Sequence, residues 1–231
     1  MSNVDVLVVA PHAPELEGLG SVLGNELAAN LNGIQVVAKA IGIGLPGVAG
    51  GTTQRLERFR PRALVMLGTC AAYPERGLNP GQVVVAERVV LADAAVLKGW
   101  AAFPDPMTGQ MEVHSGMLAG IAAAGTRRVA IASPCAITTE VGLANDIGAR
   151  LQCDVEHSEA FGVALACAPY RVPFAAVLGV SHEVGSDARE TWRVTHRAAA
   201  RTAASLIGAW LRNGAVGVPH TPHAAPPVSQ R

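Results

Sequence analysis

A short apolar run that stops at a polar or glycine-rich turn, and is then followed by residues with helical spacing, recurs along this chain. The first is Val4–Pro11, VDVLVVAP, and others lie at Ile34–Ala40, Arg62–Gly68, Arg128–Ser133 and Pro173–Val180. Runs of four to eight apolar residues without polar alternation are strands buried on both faces. Gln82–Leu91 reads as one or two further strands. Between them the spacing turns helical. Leu16, Leu19, Leu23, Leu27 and Leu31 recur at threes and fours, which predicts a helix over Pro14–Asn30. Helices are also predicted over Pro46–Phe59, His114–Ala124, Thr138–Gln152, Ser158–Pro169 and Asp187–Arg212. Pro46 suits a first helical turn. Lys98–Gln110, with its Gly, Pro and aromatic residues, reads as a loop. Strands alternating with helices imply an α/β fold in three layers, a sheet covered on both faces.

No internal repeat or linker divides the alternation, so residues 1–212 are expected to form a single domain. Residues 213–231 are rich in Pro, Ala and His, lack a core pattern, and are expected to form a mobile tail. His220 and His223 lie there and are given no metal role.

Composition narrows the function. Half of the 231 residues are hydrophobic, enough to build a packed core. Lys plus Arg and Asp plus Glu are 18 each, so nothing favours a polyanion and no nucleic-acid partner is expected. No apolar run reaches the roughly 20 residues of a membrane helix. No basic n-region precedes Val4–Ala10, so no signal peptide is read. The expectation is a soluble cytoplasmic protein without a membrane partner. Cys70, Cys135, Cys153 and Cys167 form no C-x-x-C pair and no zinc spacing, so they read as free thiols and no metal is expected.

In open α/β sheets ligands bind beyond the carboxyl ends of the strands. There the polar residues of this chain gather: His12, Glu15 and Glu17; the loop Gly42-Ile43-Gly44-Leu45-Pro46-Gly47; Thr69-Cys70-Ala71; Ser133–Thr138; Glu156 and Glu159; and Ser181-His182-Glu183. The glycine loop lets backbone N–H groups approach a ligand. A dinucleotide fingerprint would need an acid at the end of the next strand. That strand ends Leu67-Gly68-Thr69, so a nicotinamide cofactor is not favoured.

The ordered pieces resemble the nucleoside phosphorylase and nucleosidase superfamily, which contains purine nucleoside phosphorylases, methylthioadenosine/S-adenosylhomocysteine nucleosidase and futalosine hydrolase. They are the first strand with its acid, the GIG loop, the strand ending Gly68-Thr69-Cys70, the run NPGQVVVAERVVLAD, Val155-Glu156-His157-Ser158-Glu159, and Val180-Ser181-His182-Glu183-Val184-Gly185. They span Val4 to Leu206, and Glu156/Glu159 with Trp192 bring the chain nearest to futalosine hydrolase. The resemblance implies a central mixed, twisted sheet flanked by helices, and a single small-molecule partner, a nucleoside. It implies a homo-oligomer, dimer or hexamer, and no cofactor beyond phosphate as co-substrate if the enzyme is a phosphorylase.

Residue by residue, the resemblance makes Glu159 the acceptor of ribose hydroxyls and Glu15 the water-activating base, with Glu17 the substitute if the register shifts. Thr69, Cys70 and Ala71 match the loop beside sugar and base, and Ile137 the position that packs on the base. A Cys70 nucleophile is not favoured, because nothing adjacent in sequence marks a base for it. His182 stands where relatives carry an aspartate or asparagine that contacts the purine; protonated it is an acid, neutral it donates one hydrogen bond. Glu183 is the alternative. Ser158 replaces a methionine that packs on the sugar, which suggests a changed sugar substituent. Met66 occupies the place of the arginine with which hexameric phosphorylases bind phosphate, and this favours water as nucleophile. Arg58, Arg60, Arg76 or a neighbouring subunit remain as phosphate ligands. The expected activity is hydrolysis of a purine-type nucleoside, futalosine-like or 5′-modified. The alternatives are a phosphorylase, or a nucleoside binder that has lost catalysis.

Overall fold

Every residue of β1 (Val6–Ala10) and of β4 (Ala63–Ala72) is buried in the computed structural model, which describes residues 4–122 and 125–220. That full burial is why these runs carry no polar alternation. The remaining strands are β2 (Ala28–Leu31), β3 (Ile34–Ala40), β5 (Val83–Ala92), β6 (Gln110–Glu112), β7 (Arg127–Pro134), β8 (Val155–Glu156) and β9 (Phe174–Glu183). The helices are α1 (Gly20–Leu23), α2 (Leu45–Phe59), α3 (Ala94–Leu97), α4 (Ser115–Ile121), α5 (Val141–Arg150), α6 (Ala160–Cys167) and α7 (Ala188–Arg212), with a 3-10 segment over Ala13–Leu19.

The nine strands of the described residues share one mixed sheet in the order β2-β3-β1-β4-β8-β7-β5-β6, and β9 bonds to both β4 and β5. The strands β4, β8, β7, β5 and β9 therefore close into a ring, and β1, β3 and β2 extend from β4. β1 runs parallel to β3 and β4, whereas β8 is antiparallel to β4 and β9 is antiparallel to β5. Helix α7 packs along β9 and the 3-10 segment, and α2 packs on α6. The α7 contact is intimate: a Cβ on Gly179 would lie 2.1 Å from the Ala199 carbonyl oxygen. The α/β, mixed-sheet expectation holds.

One feature of the topology makes room for a ligand. β1 pairs with β4 only as far as Val9 opposite Met66, and β4 meets β8 only at Ala71 and Ala72. Between these stretches the flank of Gly68–Cys70 has no neighbouring strand, and the chain leaving β1 turns away into the 3-10 segment. A crevice opens there.

The structure corrects several element expectations. The helix expected over Pro14–Asn30 is the 3-10 segment, the single turn α1, and then β2. Asn32 and Gly33 both have positive φ, 54° and 88°, and fold β2 back on β3 as a hairpin whose turn overrides the leucine periodicity. Glu156 lies in β8, not at a helix start, and α6 begins only after Glu159. Helix α5 begins at Val141, where the Glu140 carboxylate accepts from the Gly142 and Leu143 N–H groups. Lys98–Gln110 is loop until β6, and Val83–Ala92 is one strand.

Residues 213–220, read from the sequence as the start of a mobile tail, fold back on the body. Ala215 is buried, Trp210 Nε1 donates to the Val216 carbonyl, and Arg62 donates to the Pro219 carbonyl. The rest of that segment, 221–231, lies outside the described residues, and His223 with it.

Candidate active site

At the crevice lies a cavity of about 560 Å³. All eight residues singled out from the sequence line it: Glu15 after β1, Thr69, Cys70 and Ala71 at the end of β4, Ile137 after β7, Ser158 and Glu159 between β8 and α6, and His182 at the end of β9. Glu17 and Glu183, the alternatives, are not in its wall. Sheet register explains part of this convergence. Ala71 pairs with Glu156 on one side and with His182 on the other, and paired residues on neighbouring strands share a face.

Glu15 is only 4% exposed. Its Oε2 accepts from the His12 backbone N–H at 3.2 Å, and its Oε1 from the Thr69 hydroxyl at 3.2 Å. The indole N–H of Trp192 donates to Thr69 Oγ1 at 3.0 Å. An indole can only donate, so the chain Trp192→Thr69→Glu15 has one direction. Burial pushes the Glu15 carboxyl up to about 7, against those hydrogen bonds, and the charge of Glu159 adds to the rise. Two carboxylates thus face one cavity closely enough to feel each other.

Glu159 is held by the glycine loop. Its Oε1 accepts from the Gly44 N–H at 3.1 Å. Gly44 has φ 77° and ψ 154°, a conformation essentially reserved for glycine, and it directs that N–H at the carboxylate. Glu159 Oε2 lies 3.4 Å from His157 Nδ1, but the same nitrogen accepts from the Glu159 backbone N–H at 3.2 Å. Burial lowers the His157 pKa. His157 is therefore neutral, with its proton on Nε2, and the contact with Glu159 is not an ion pair. A Cβ on Gly68 would lie 2.8 Å from His157 Nε2, so that glycine leaves the imidazole its space. Ser133 clamps the segment: its hydroxyl donates to the His157 carbonyl at 2.7 Å and accepts from the Phe161 N–H at 3.1 Å.

Glu156 lines the cavity but is tied at both oxygens, by the Thr138 N–H at 2.9 Å and the Tyr73 hydroxyl at 2.9 Å. It holds the loop that carries Ile137. Ile137 is 61% exposed and Ile43 69% exposed, and both stand in the cavity wall. Burial pushes the Cys70 thiol far up, which makes it an apolar wall and no nucleophile.

His182 owes its position to a β-bulge. Cys70 pairs with Val180 but Ala71 pairs with His182, so Ser181 is an extra residue in β9. The Ser181 hydroxyl donates to the Cys70 carbonyl at 3.0 Å and lies 2.7 Å from His182 Nδ1. Burial lowers the His182 pKa.

Sequence reasoning passed over Ile43, His157 and Arg189 as wall residues. The signal for His157 was the glycine opposite it, visible only once β4 and the turn after β8 are side by side. Arg189 is the single Lys or Arg among the described lining residues, and it is exposed. Arg58, Arg60 and Arg76 do not line the cavity, and Met66 is buried within β4. No group of three or more His, Cys, Asp or Glu suited to a metal occurs among the described residues.

Comparison with known proteins agrees with this architecture. The chain is 26% identical over 234 residues to the 5′-methylthioadenosine/S-adenosylhomocysteine nucleosidase of Chromohalobacter salexigens, covering 90% of this chain and 96% of that one. A Helicobacter pylori nucleosidase mutant of that kind, solved with 5′-methylthioadenosine in its active site, superposes with a TM-score of 0.83 at 13% identity, covering 92% of this chain and 100% of that one. Native futalosine hydrolase of Helicobacter pylori superposes with a TM-score of 0.80 at 14% identity, covering 91% and 98%. At such identities the superpositions carry the fold. The profile of the phosphorylase superfamily matches residues 19–212, most of the chain, and the chain belongs to that family.

Proposed function

We propose that this chain hydrolyses the N-glycosidic bond of a purine-type nucleoside and releases the free base. The observation that carries the reading is the pair of carboxylates, Glu15 and Glu159, in one cavity whose single Lys or Arg among the described residues is exposed. Cleaving such a bond develops positive charge on the sugar, and fixed carboxylates stabilise it in a site partly withdrawn from water. In this reading Glu159 accepts from the ribose hydroxyls, held in place by the Gly44 N–H. Glu15 orients and deprotonates water, which its rise to about 7 suits at neutral pH. The base lies toward Ala71 and Ile137 and meets His182. Ser158 offers a small polar wall to a 5′-modified sugar.

Water is preferred to phosphate on electrostatic grounds. A phosphate dianion calls for cationic or arginine ligands. Here two carboxylates repel it, and among the described residues Arg189 alone of the Lys and Arg side chains reaches the wall. No organic cofactor or metal enters the proposal. Assembly as a homo-oligomer, dimer or hexamer, is part of it, supported by the exposed Ile43 and Ile137.

A panel of nucleosides, including adenosine, inosine, futalosine-like and 5′-modified ones, incubated with and without phosphate, tests the reading through release of free base. Release that does not need phosphate is expected. Release only with phosphate makes the chain a phosphorylase, and calorimetric binding without release makes it a nucleoside binder. Glu159→Ala is expected to lower the rate by at least about 100-fold. A variant with full activity refutes the sugar role.

A further inference from the structure

A hydroxyl beside a carboxyl group can play either part. It donates to the carboxylate or accepts from the protonated acid, and the first arrangement favours the ionised form. Glu15 has two hydrogen-bond neighbours, and one of them has no choice: the His12 backbone N–H at Oε2 can only donate. Thr69, at Oε1, has the choice. Trp192 removes it. Its indole N–H occupies a lone pair of Thr69 Oγ1 at 3.0 Å, and Glu15 is the other partner of that oxygen among the described residues. If Thr69 turned to accept from Glu15 as well, its own proton would have no acceptor left. The indole is held in turn. It is half-buried, its ring stacks on His196 with centroids 4.3 Å apart and planes 20° from parallel, and His196 Nδ1 lies 2.8 Å from the Trp192 carbonyl oxygen.

We propose that Trp192 is a positioning residue, which through the Thr69 hydroxyl keeps Glu15 in the carboxylate form that can take a proton from water. The consequence for rate rests on the reading of Glu15 as general base; the hydrogen-bond chain rests on its own geometry. Burial works against the chain and raises the Glu15 carboxyl to about 7, so one hydrogen bond decides how much of Glu15 is ionised near neutral pH. Glu159 faces Glu15 across the cavity and adds to the rise. The other titratable groups of the wall are His12 on the same segment, Cys70 from β4, Glu156 and His157 from β8 and its turn, His182 from β9 and Arg189 from α7. Arg197, further along α7, reaches Glu17 rather than Glu15. Trp192→Phe alters none of these groups. It has two opposed effects on Glu15. A smaller side chain admits water, which lowers the pKa, whereas a released Thr69 accepts from the acid form, which raises it. An upward shift is therefore the mark of the hydrogen bond, and loss of packing alone gives the reverse.

The experiment follows the Glu15 carboxyl carbon by NMR across pH 5 to 9 in the full chain, with its signal identified by loss in Glu15→Gln. It needs no catalysis. Trp192→Phe is expected to move the midpoint up by about half a unit to one unit, the worth of one neutral hydrogen bond. Thr69→Val, which cuts the chain at its middle link, is expected to raise it at least as much, and Trp192→Phe added to Thr69→Val to raise it no further. Thr69→Ser keeps the hydroxyl and is expected to titrate as the native chain does. The rising limb of kcat/KM, for any nucleoside the panel shows to be cleaved, is expected to move with the midpoint. A midpoint unchanged or lowered in Trp192→Phe overturns the proposal, and so does an equal rise when Thr69 is already Val; both leave the nucleosidase reading standing. If the midpoints move as expected but no base is released at any pH, the nucleosidase reading falls and the control of Glu15 by Trp192 stands.

Discussion

Glu15 accepts one N–H and one hydroxyl, and burial still outweighs both in setting its ionisation. The consequence for activity and the consequence for stability have opposite signs. As a general base Glu15 must be ionised, so kcat/KM is expected to rise with pH and level off above about 7, the value to which burial pushes the carboxyl. Folding responds the other way. The folded pKa lies above the unfolded one, so the ionised carboxylate destabilises the fold. That penalty is absent below about 4.5, grows through the interval, and is complete above about 7. Glu15→Gln should therefore lower the rate by roughly 100- to 10,000-fold. Its melting temperature should gain on the wild type between pH 5 and pH 8. A difference in melting temperature that does not change with pH would sink the account of Glu15. These residues were legible in sequence as polar groups at strand ends. Which atoms they bond, and that Glu156 is tied by Tyr73 and Thr138 while Glu159 keeps an oxygen toward the cavity, were not.

At the scale of elements, three local devices set the site: the glycine turn before α2, the bulge in β9, and the close seat of α7 on β9. The last is the most exposed to substitution. A Cβ at Gly179 would meet the Ala199 carbonyl at 2.1 Å, and backbone cannot step aside as a flexible side chain would. Gly179→Ala is expected to cost about 3 kcal/mol and to lower the melting temperature by roughly 6–12 °C. A thermal melt within a degree of wild type would show that α7 shifts freely on the sheet. Most strands and the longer helices were readable from apolar runs and helical spacing. The Pro14–Asn30 helix was not, because leucines spaced for a helix can equally face a core from a 3-10 turn and a hairpin strand. The bulge was unreadable for a related reason: an extra residue in β9 exists only relative to its partner β4.

The whole molecule is a mixed sheet in which β4, β8, β7, β5 and β9 close a ring, and β1 parts from β4 beyond Met66. The cavity sits in that gap, and its wall includes apolar surface that water does not favour. Ile43 and Ile137 are 69% and 61% exposed, which a second copy of the chain would cover. Light scattering is expected to report a dimer or hexamer, and a monomer at all concentrations would overturn the assembly part of the proposal. No helix among the described residues is long and apolar enough to cross a membrane. The α/β class and the set of residues at strand ends followed from the sequence alone, because burial on both faces of a sheet leaves an unbroken apolar run and polar groups collect where such runs stop. Only the tertiary structure decided which ends meet and that the ring closes through β9. Those facts depend on pairing between segments over a hundred residues apart, which no local pattern of apolar and polar residues records.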